Sequence, residues 1–293
     1  MKKLILYYNP VSGNATFKNK LDAVIEKFQQ RNCVVIPYRT TAGNNARAFC
    51  ALVREVAADG VIAAGGDGTL SQMANIVVKE QLPLPIAVLG SGTSNDFAMS
   101  MGYGKDWDAY FDRVAAGKTR RMDVGCANGE YFINVASAGM LTGIAHDVTH
   151  RWKNTFGKMA YYLRGIGEIP KIRPFGLHLD ADGRKEDLDA FLFVVANNSA
   201  VAGLKNIAPD ARVDDGKLDL LVMQKCNPLE FVAIAKDIFA GCLNPPRRHV
   251  RYIQARKIRI TADVDLVSDL DGEAGPPLPL EIEAVAGAVE VYW

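Results

Sequence analysis

Residues 65–69 read Gly65, Gly66, Asp67, Gly68, Thr69, three glycines around one carboxylate, and this grouping points to phosphate chemistry. The loop follows the apolar run 61–64 and precedes the helically spaced positions Leu70, Met73, Ala74, Ile76 and Val77, which predicts a strand, a tight turn and a helix from Thr69. A helix N-terminus presents unpaired N–H groups and a partial positive charge. Glycines there let the backbone approach a ligand and take dihedrals closed to other residues. Asp67 would repel a phosphate unless a cation, a proton donor or water stands between them, so the loop fits a magnesium-bound nucleotide. Taken alone, Gly-Gly and Asp-Gly pairs also mark ordinary turns.

The elements around this loop supply two more of the same kind. The strand-like run 4–8 ends in Asn9, Pro10, Val11, Ser12, Gly13, and the run 86–89 ends in Gly90, Ser91, Gly92, Thr93, Ser94, Asn95, Asp96. Strand and helix patterns alternate over residues 1–120, which predicts a parallel sheet flanked by helices. In such a sheet the three turns share the carboxyl edge, where ligands of open α/β folds bind. From residue 119 the texture changes to strand-like runs at 121–124, 131–135, 175–179, 191–196, 218–223 and 252–261. Helical patterns interrupt them at 157–169 and 228–241, the latter opening on Asn227-Pro228. The expected organisation is an α/β domain at 1–125 and a mainly β domain at 126–293, whose last strand is free to return to the first domain.

Composition narrows the class. The chain has 293 residues, 49% hydrophobic and 23% charged, with a formal net charge of +1, the profile of a soluble protein with no bias toward nucleic acid. No apolar run reaches membrane-spanning length, since residues 190–196 stop at Asn197 and Asn198. The run 4–8 behind Met1, Lys2 and Lys3 is too short for a signal peptide. Cys33, Cys50, Cys126, Cys226 and Cys242 are odd in number and lack metal or redox spacing, so a reducing, cytoplasmic setting is expected.

Several chemistries are absent or weak. There is no GxxxxGK[ST] sequence, and the dinucleotide fingerprint fails because Asn95 stands at its third glycine. His146 and His150 lie four apart without the Glu of HExxH, so a solvated helix face is the better reading than zinc. Asp182-Gly183, Asp215-Gly216 and Asp271-Gly272 each read as hairpin turns on residue type alone. Asp96 reads equally as a helix cap or a substrate contact. The basic stretch Arg247, Arg248, Arg251, Arg256, Lys257, Arg259 and the cluster Arg151, Trp152, Lys153 read as solvated faces, with docking on anionic lipid as the alternative.

The combination of NPVSG at 9–13, GGDGT at 65–69 and GTSNDFA at 92–98 resembles the diacylglycerol kinase catalytic domain, in particular the soluble bacterial lipid kinases. The resemblance continues through Asp123 and Gly125, residues 134–139, GKMAYY at 157–162, residues 208–220 and Asp271, Gly272, Glu273, and so covers nearly the whole chain. It implies a nucleotide domain like that of NAD kinase, a C-terminal β-sandwich, an active site between them, and ATP-dependent phosphorylation of a lipid hydroxyl. By the same resemblance Thr40, residues 65–71 (Leu70 and Ser71 included) and Thr93 contact ATP, with Asn9 and Ser12 beside the phosphates. Asn95 and Asp96 face the substrate. Glu273 is the proton acceptor, with Asp67 and Asp271 counted in the catalytic set. Asp215 and the carbonyls of Arg212 and Lys217 hold Mg²⁺, with Asp123 joining through water.

One departure stands out: the family often has Asn and Glu near the positions of Ser71 and Gln72, so one charge is missing here. The resemblance also implies a lipid-alcohol substrate met at the inner face of a membrane, peripheral membrane contact, no nucleic-acid partner and room for a homodimer. Two other readings stay open, an NAD kinase-like enzyme and a non-catalytic nucleotide- or lipid-binding regulator. Against the first stands Asn95-Asp96-Phe97 where NAD kinases carry Asn-Glu. Against the second stands the intact set Asp67, Asp215 and Glu273.

Overall fold

A computed structural model describes residues 1–11, 17–41, 46–90, 106–139, 173–199 and 206–293. Ser12, Thr93, Asn95, Asp96, the pair His146 and His150, the cluster at 151–153 and the helix expected at 157–169 lie outside these residues. The chain forms two compact units, Met1–Met122 with Gly287–Trp293, and Asp123–Ala286. It passes from the first to the second within one strand, β5 (Thr119–Ala127), and returns within another, β15 (Leu280–Tyr292).

In the first unit β1 (Lys2–Tyr8), β2 (Cys33–Arg39), β3 (Gly60–Gly65) and β4 (Ile86–Gly90) make a parallel sheet in the order β4-β3-β1-β2, and Val291 of β15 adds alongside Ile86 of β4. Such a sheet is buried on both faces, which is why these strands are continuous apolar runs rather than alternating ones. On one face Leu4, Leu6, Ile62, Ala64, Ala87 and Leu89 pack with residues of α1 (Leu21–Gln29) and α4 (Trp107–Ala116), including Phe28 and Phe111. On the other, the Tyr7 ring stacks on Tyr38 and meets the edge of Phe49 from α2 (Ala46–Val56).

The second unit is built on antiparallel strands. Its main sheet runs β14 (Glu273–Pro277), β13 (Val267–Leu270), β7 (Val135–Gly139), β9 (Arg184–Ala196), β8 (Phe175–Ala181), β12 (Lys257–Ala262), β15, while β10 (Leu218–Gln224) joins β9 to β11 (Val250–Ala255). Alternate side chains divide the burial. Phe193, Val195, Leu220 and Val222 enter one core with Leu177, Ile258 and Ile282. Leu192, Val194, Leu221 and Met223 enter a second core under α5 (Pro228–Ala240), against Phe231, Ile234 and Ile238. That helix starts on a capping box of Asn227 and Glu230 and ends at left-handed Gly241, as its terminal residue types favour.

Two expected strands are broken in the fold, each by a distant carboxylate. The run expected at 131–135 divides into β6 (Glu130–Phe132) and β7, because the N–H groups of Ile133, Asn134 and Val135 turn to the Asp271 carboxylate. The run expected at 252–261 divides at Arg256, because the Asp182 carboxylate takes the N–H groups of Arg256 and Lys257, each at 2.9 Å. Asp182-Gly183 and Asp271-Gly272 are two-residue hairpin turns with positive φ at both residues. Asp215-Gly216 is not a hairpin turn; it ends the loop that leads into β10.

Candidate functional site

In the first unit the strands end in register. Tyr8 is paired with Arg39 and with Ala64, and Gly65 with Gly90, so Asn9, Thr40, Gly65 to Asp67 and Gly90 all lie at one carboxyl edge. The edge is tied by its own backbone: Asn9 N donates to Ala64 O and Thr40 N to Tyr8 O, both at 3.0 Å. Asn9 Oδ1 accepts the Val11 N–H at 3.0 Å, which shapes the turn after β1. Thr40 is buried.

The helix after the glycine loop, α3, spans Asp67–Lys79 and so starts two residues before Thr69. Gly66 is its N-cap, extended at φ −90°; as a glycine it offers no side-chain cap, and its carbonyl accepts the Thr69 and Leu70 N–H groups that close the first turn. Asp67 is half-buried at the first helical position, where a negative charge also favours the helix dipole. The glycines are not there for left-handed backbone, because none of Gly65, Gly66 and Gly68 has a positive φ. Gly65 is required by contact: a Cβ there would stand 2.1 Å from Thr69 Oγ1. Thr69 and Leu70 are buried, and Ser71 is half-buried with its carbonyl accepting from Asn75 Nδ2. Gln72, the departure from the family pattern, accepts the Tyr7 hydroxyl at 2.9 Å and so fastens α3 to β1. Burial and the neighbouring Tyr38 push that phenol up to about 12.

In the second unit Glu273 opens β14 on the exposed side of the tight hairpin β13–β14. The preceding Asp271 carboxylate accepts three backbone N–H bonds, from Ile133 at 2.8 Å and from Asn134 and Val135 at 2.9 Å each. Asp271 N donates in turn to Val135 O, and Gly272 N to Asp269 Oδ1. Asp271 therefore holds the turn that carries Glu273.

The Asp215 segment is organised by Asp123. Asp123 N donates to Val213 O at 2.7 Å and its Oδ2 accepts the Gly216 N–H at 2.6 Å, while Asp215 Oδ1 accepts the Lys217 N–H at 3.0 Å. Among the described residues no backbone N–H outside the regular helix and strand ladders takes the Arg212 or Lys217 carbonyl. One half-buried carboxylate with two such carbonyls is an oxygen-only donor set, which fits Mg²⁺ with water completing its shell. Among the described residues no group of three or more His, Cys, Asp or Glu side chains is placed to hold a metal ion.

Two residues here escape a reading from sequence. Asp219 is buried beneath the loop, accepting from Tyr252 and from Gln254 Nε2, and burial pushes its carboxyl above the ordinary range. Asn197 is fully buried, with Nδ2 donating to Asp123 O and Ile133 O at 2.9 Å each. Its only signal is a polar pair closing the apolar run 190–196. Among the described residues Arg247 pairs with Asp237, Arg248 with Glu230, Arg251 with Glu186, Lys257 with Glu283 and Arg259 with Glu281. A groove of about 570 Å³ beside Asp180, Asp182, Lys257 and Glu281 contains none of the candidate residues.

Residues 3–127 match the diacylglycerol kinase catalytic domain, and residues 134–293 match the YegS C-terminal NAD kinase beta sandwich-like domain. A diacylglycerol kinase of Bacillus subtilis (strain 168) is 35% identical over 285 residues, 96% of this chain and 93% of the relative. A diacylglycerol kinase of Staphylococcus saprophyticus is 29% identical, over 99% of this chain and 95% of the relative. A solved structure from Bacillus anthracis strain Sterne matches the whole chain, and 95% of its own, with a TM-score of 0.84 at 23% identity, a likeness of fold. With both domains matched in order along the sequence, the chain belongs to the diacylglycerol kinase family, a catalytic domain followed by a YegS-type β-sandwich domain.

Proposed function

We propose that this protein is a lipid kinase that transfers the γ-phosphoryl group of ATP to the hydroxyl of diacylglycerol or a related lipid alcohol, with Mg²⁺. The observation that carries this reading is the exposed Glu273 directly after the two-residue turn Asp271-Gly272, whose conformation is held by three amide bonds to Asp271. A lipid hydroxyl is a weak nucleophile, and a fixed carboxylate orients it and accepts its proton. The hydroxyl oxygen forms the new P–O bond, the bond to the β-phosphate oxygen breaks, ADP leaves, and the proton ends on Glu273.

The N-terminal unit supplies the nucleotide side. Gly65 to Leu70 offer a close backbone approach at a helix N-terminus, Asn9 and Thr40 lie at the same edge by register, and the family resemblance adds Ser71 and, outside the described residues, Ser12 and Thr93 as nucleotide contacts. Bound at Asp215 and the Arg212 and Lys217 carbonyls, Mg²⁺ would supply charge neutralisation for the phosphates. Asp67, at the start of α3, is assigned to orienting the magnesium-bound nucleotide rather than to proton abstraction. Asp271 acts by holding Glu273, and Asn95 and Asp96, which lie outside the described residues, are assigned to the lipid by the family resemblance alone.

The substrate implies work at a membrane surface, on the cytoplasmic side where ATP is available. Among the described residues no helix is long and apolar enough to cross a membrane. The ion-paired stretch 247–259 is not offered as the lipid-facing surface. The deciding experiment incubates the protein with labelled ATP, Mg²⁺ and, separately, diacylglycerol, phosphatidylglycerol, sphingoid bases and NAD. Label in a lipid alcohol is expected; label in NAD alone would replace this reading with an NAD kinase.

A further inference from the structure

We infer that Asn197 is a positioning residue that couples the Asp215 loop to the Glu273 hairpin, so that a cation bound at the loop stiffens the turn carrying the proton acceptor. The inference deepens the kinase reading and rests on it. Its groups all belong to the second unit. From the loop, Gly216 N donates to Asp123 Oδ2 at 2.6 Å. The Asp123 carbonyl accepts one Asn197 Nδ2 proton at 2.9 Å, and the Ile133 carbonyl accepts the other at 2.9 Å. Ile133 N then donates to Asp271 Oδ2 at 2.8 Å, two residues before Glu273.

The residue type is demanding at this position. A primary amide carries two donors, and both are used here, one on the carbonyl of Asp123 within β5 and one on that of Ile133, where β6 gives way to β7. A serine offers one donor, and an aspartate would set an acceptor against two carbonyl oxygens. A purely local account, that the amide satisfies two carbonyls, explains why each bond forms. It does not explain why one carbonyl belongs to the residue that brackets the metal loop and the other to the residue gripped by Asp271. Asn197 is fully buried, so neither bond competes with water, and backbone N–H to Asn134 O at 2.9 Å keeps the side chain at this junction. Opening either end must break or lengthen a bond in the same chain.

The test is amide hydrogen exchange on the full-length protein, with and without Mg²⁺. A ligand that binds only the closed state, at ten times its dissociation constant, slows opening-limited exchange by about elevenfold. Coupling predicts slowing at Gly216 and Lys217 and also, by up to about that factor, at Ile133, Asn134 and Val135. Slowing confined to Gly216 and Lys217 would overturn the coupling while leaving the metal site standing. No slowing anywhere would overturn the metal reading and the inference with it. In Asn197→Ala the effect of Mg²⁺ should persist at Gly216 and vanish at residues 133–135, whereas the cavity variant Val195→Ala should retain both. Propagation that survives Asn197→Ala refutes the proposal, and if that variant does not fold the wild-type measurement decides alone.

Discussion

Replacing Asp271 with asparagine tests the clamp with little change of shape. The carboxylate takes three N–H groups at 2.8 to 2.9 Å, and hydrogen bonds to a charged acceptor contribute about 1.5–3 kcal/mol each. Asparagine keeps one oxygen, enough for Asn134 and Val135, but turns an NH₂ group toward the Ile133 N–H. The cost is one charge-assisted bond plus two donors face to face, about 2–3 kcal/mol. Position 271 has φ 52°, a left-handed conformation that asparagine tolerates well, so backbone strain does not confuse the comparison. Hydrogen exchange at Ile133, Asn134 and Val135 should quicken by about 30- to 150-fold, since each 1.36 kcal/mol is a factor of ten. Phosphoryl transfer should fall with it while ATP affinity holds, because Glu273 loses its frame and the nucleotide edge does not. Exchange at these three amides within about threefold of wild type would refute the argument that Asp271 holds the turn.

Other outcomes follow from single contacts. Gly65→Ala drives a Cβ to 2.1 Å from Thr69 Oγ1, so the first turn of α3 must shift; a loss of about 1–3 kcal/mol in thermal or urea unfolding, with weaker ATP binding, is expected. An unchanged melting curve would show that the loop has room that the contact denies. The Arg251 guanidinium holds the Glu186 carboxyl below its ordinary value of 4.5, so the pair's contribution is complete above pH 4.5 and is lost as pH falls through the depressed folded value. Glu186→Gln should therefore trail wild type by at most about 1 kcal/mol at neutral pH, the ceiling for a partly exposed pair, and the gap should close in acid. A gap that widens below pH 4.5 would reverse the sign.

What sequence makes legible here is local. Apolar runs at 4–8, 61–64 and 86–89, each ending in small polar residues, identify three parallel strands and their functional edge, because burial on both faces and tight exits leave a mark within ten residues. The start of α5 at Asn227-Pro228 is legible for the same reason, although its capping box with Glu230 emerges only in the structure. What stays hidden is bonding between distant segments. Asp271 reads correctly as a turn residue, yet the Ile133 amide it grips lies 138 positions away. The break at Arg256 is set by Asp182, 74 positions away. Asn197 reaches Asp123 across 74 positions and Ile133 across 64, and nothing in its neighbours announces either bond. The glycines at 65, 66 and 68 are legible as a close-approach loop, but that contact rather than handedness constrains Gly65 emerges only with the Thr69 side chain in place.

The central claim is that Glu273 accepts the proton of a lipid hydroxyl. Single-turnover phosphorylation of diacylglycerol by Glu273→Gln, measured beside its ATP affinity, tests this most directly. The account predicts unchanged ATP binding with transfer slowed by about 10²- to 10⁴-fold, the usual worth of a positioned general base. Wild-type transfer by the glutamine variant would contradict it.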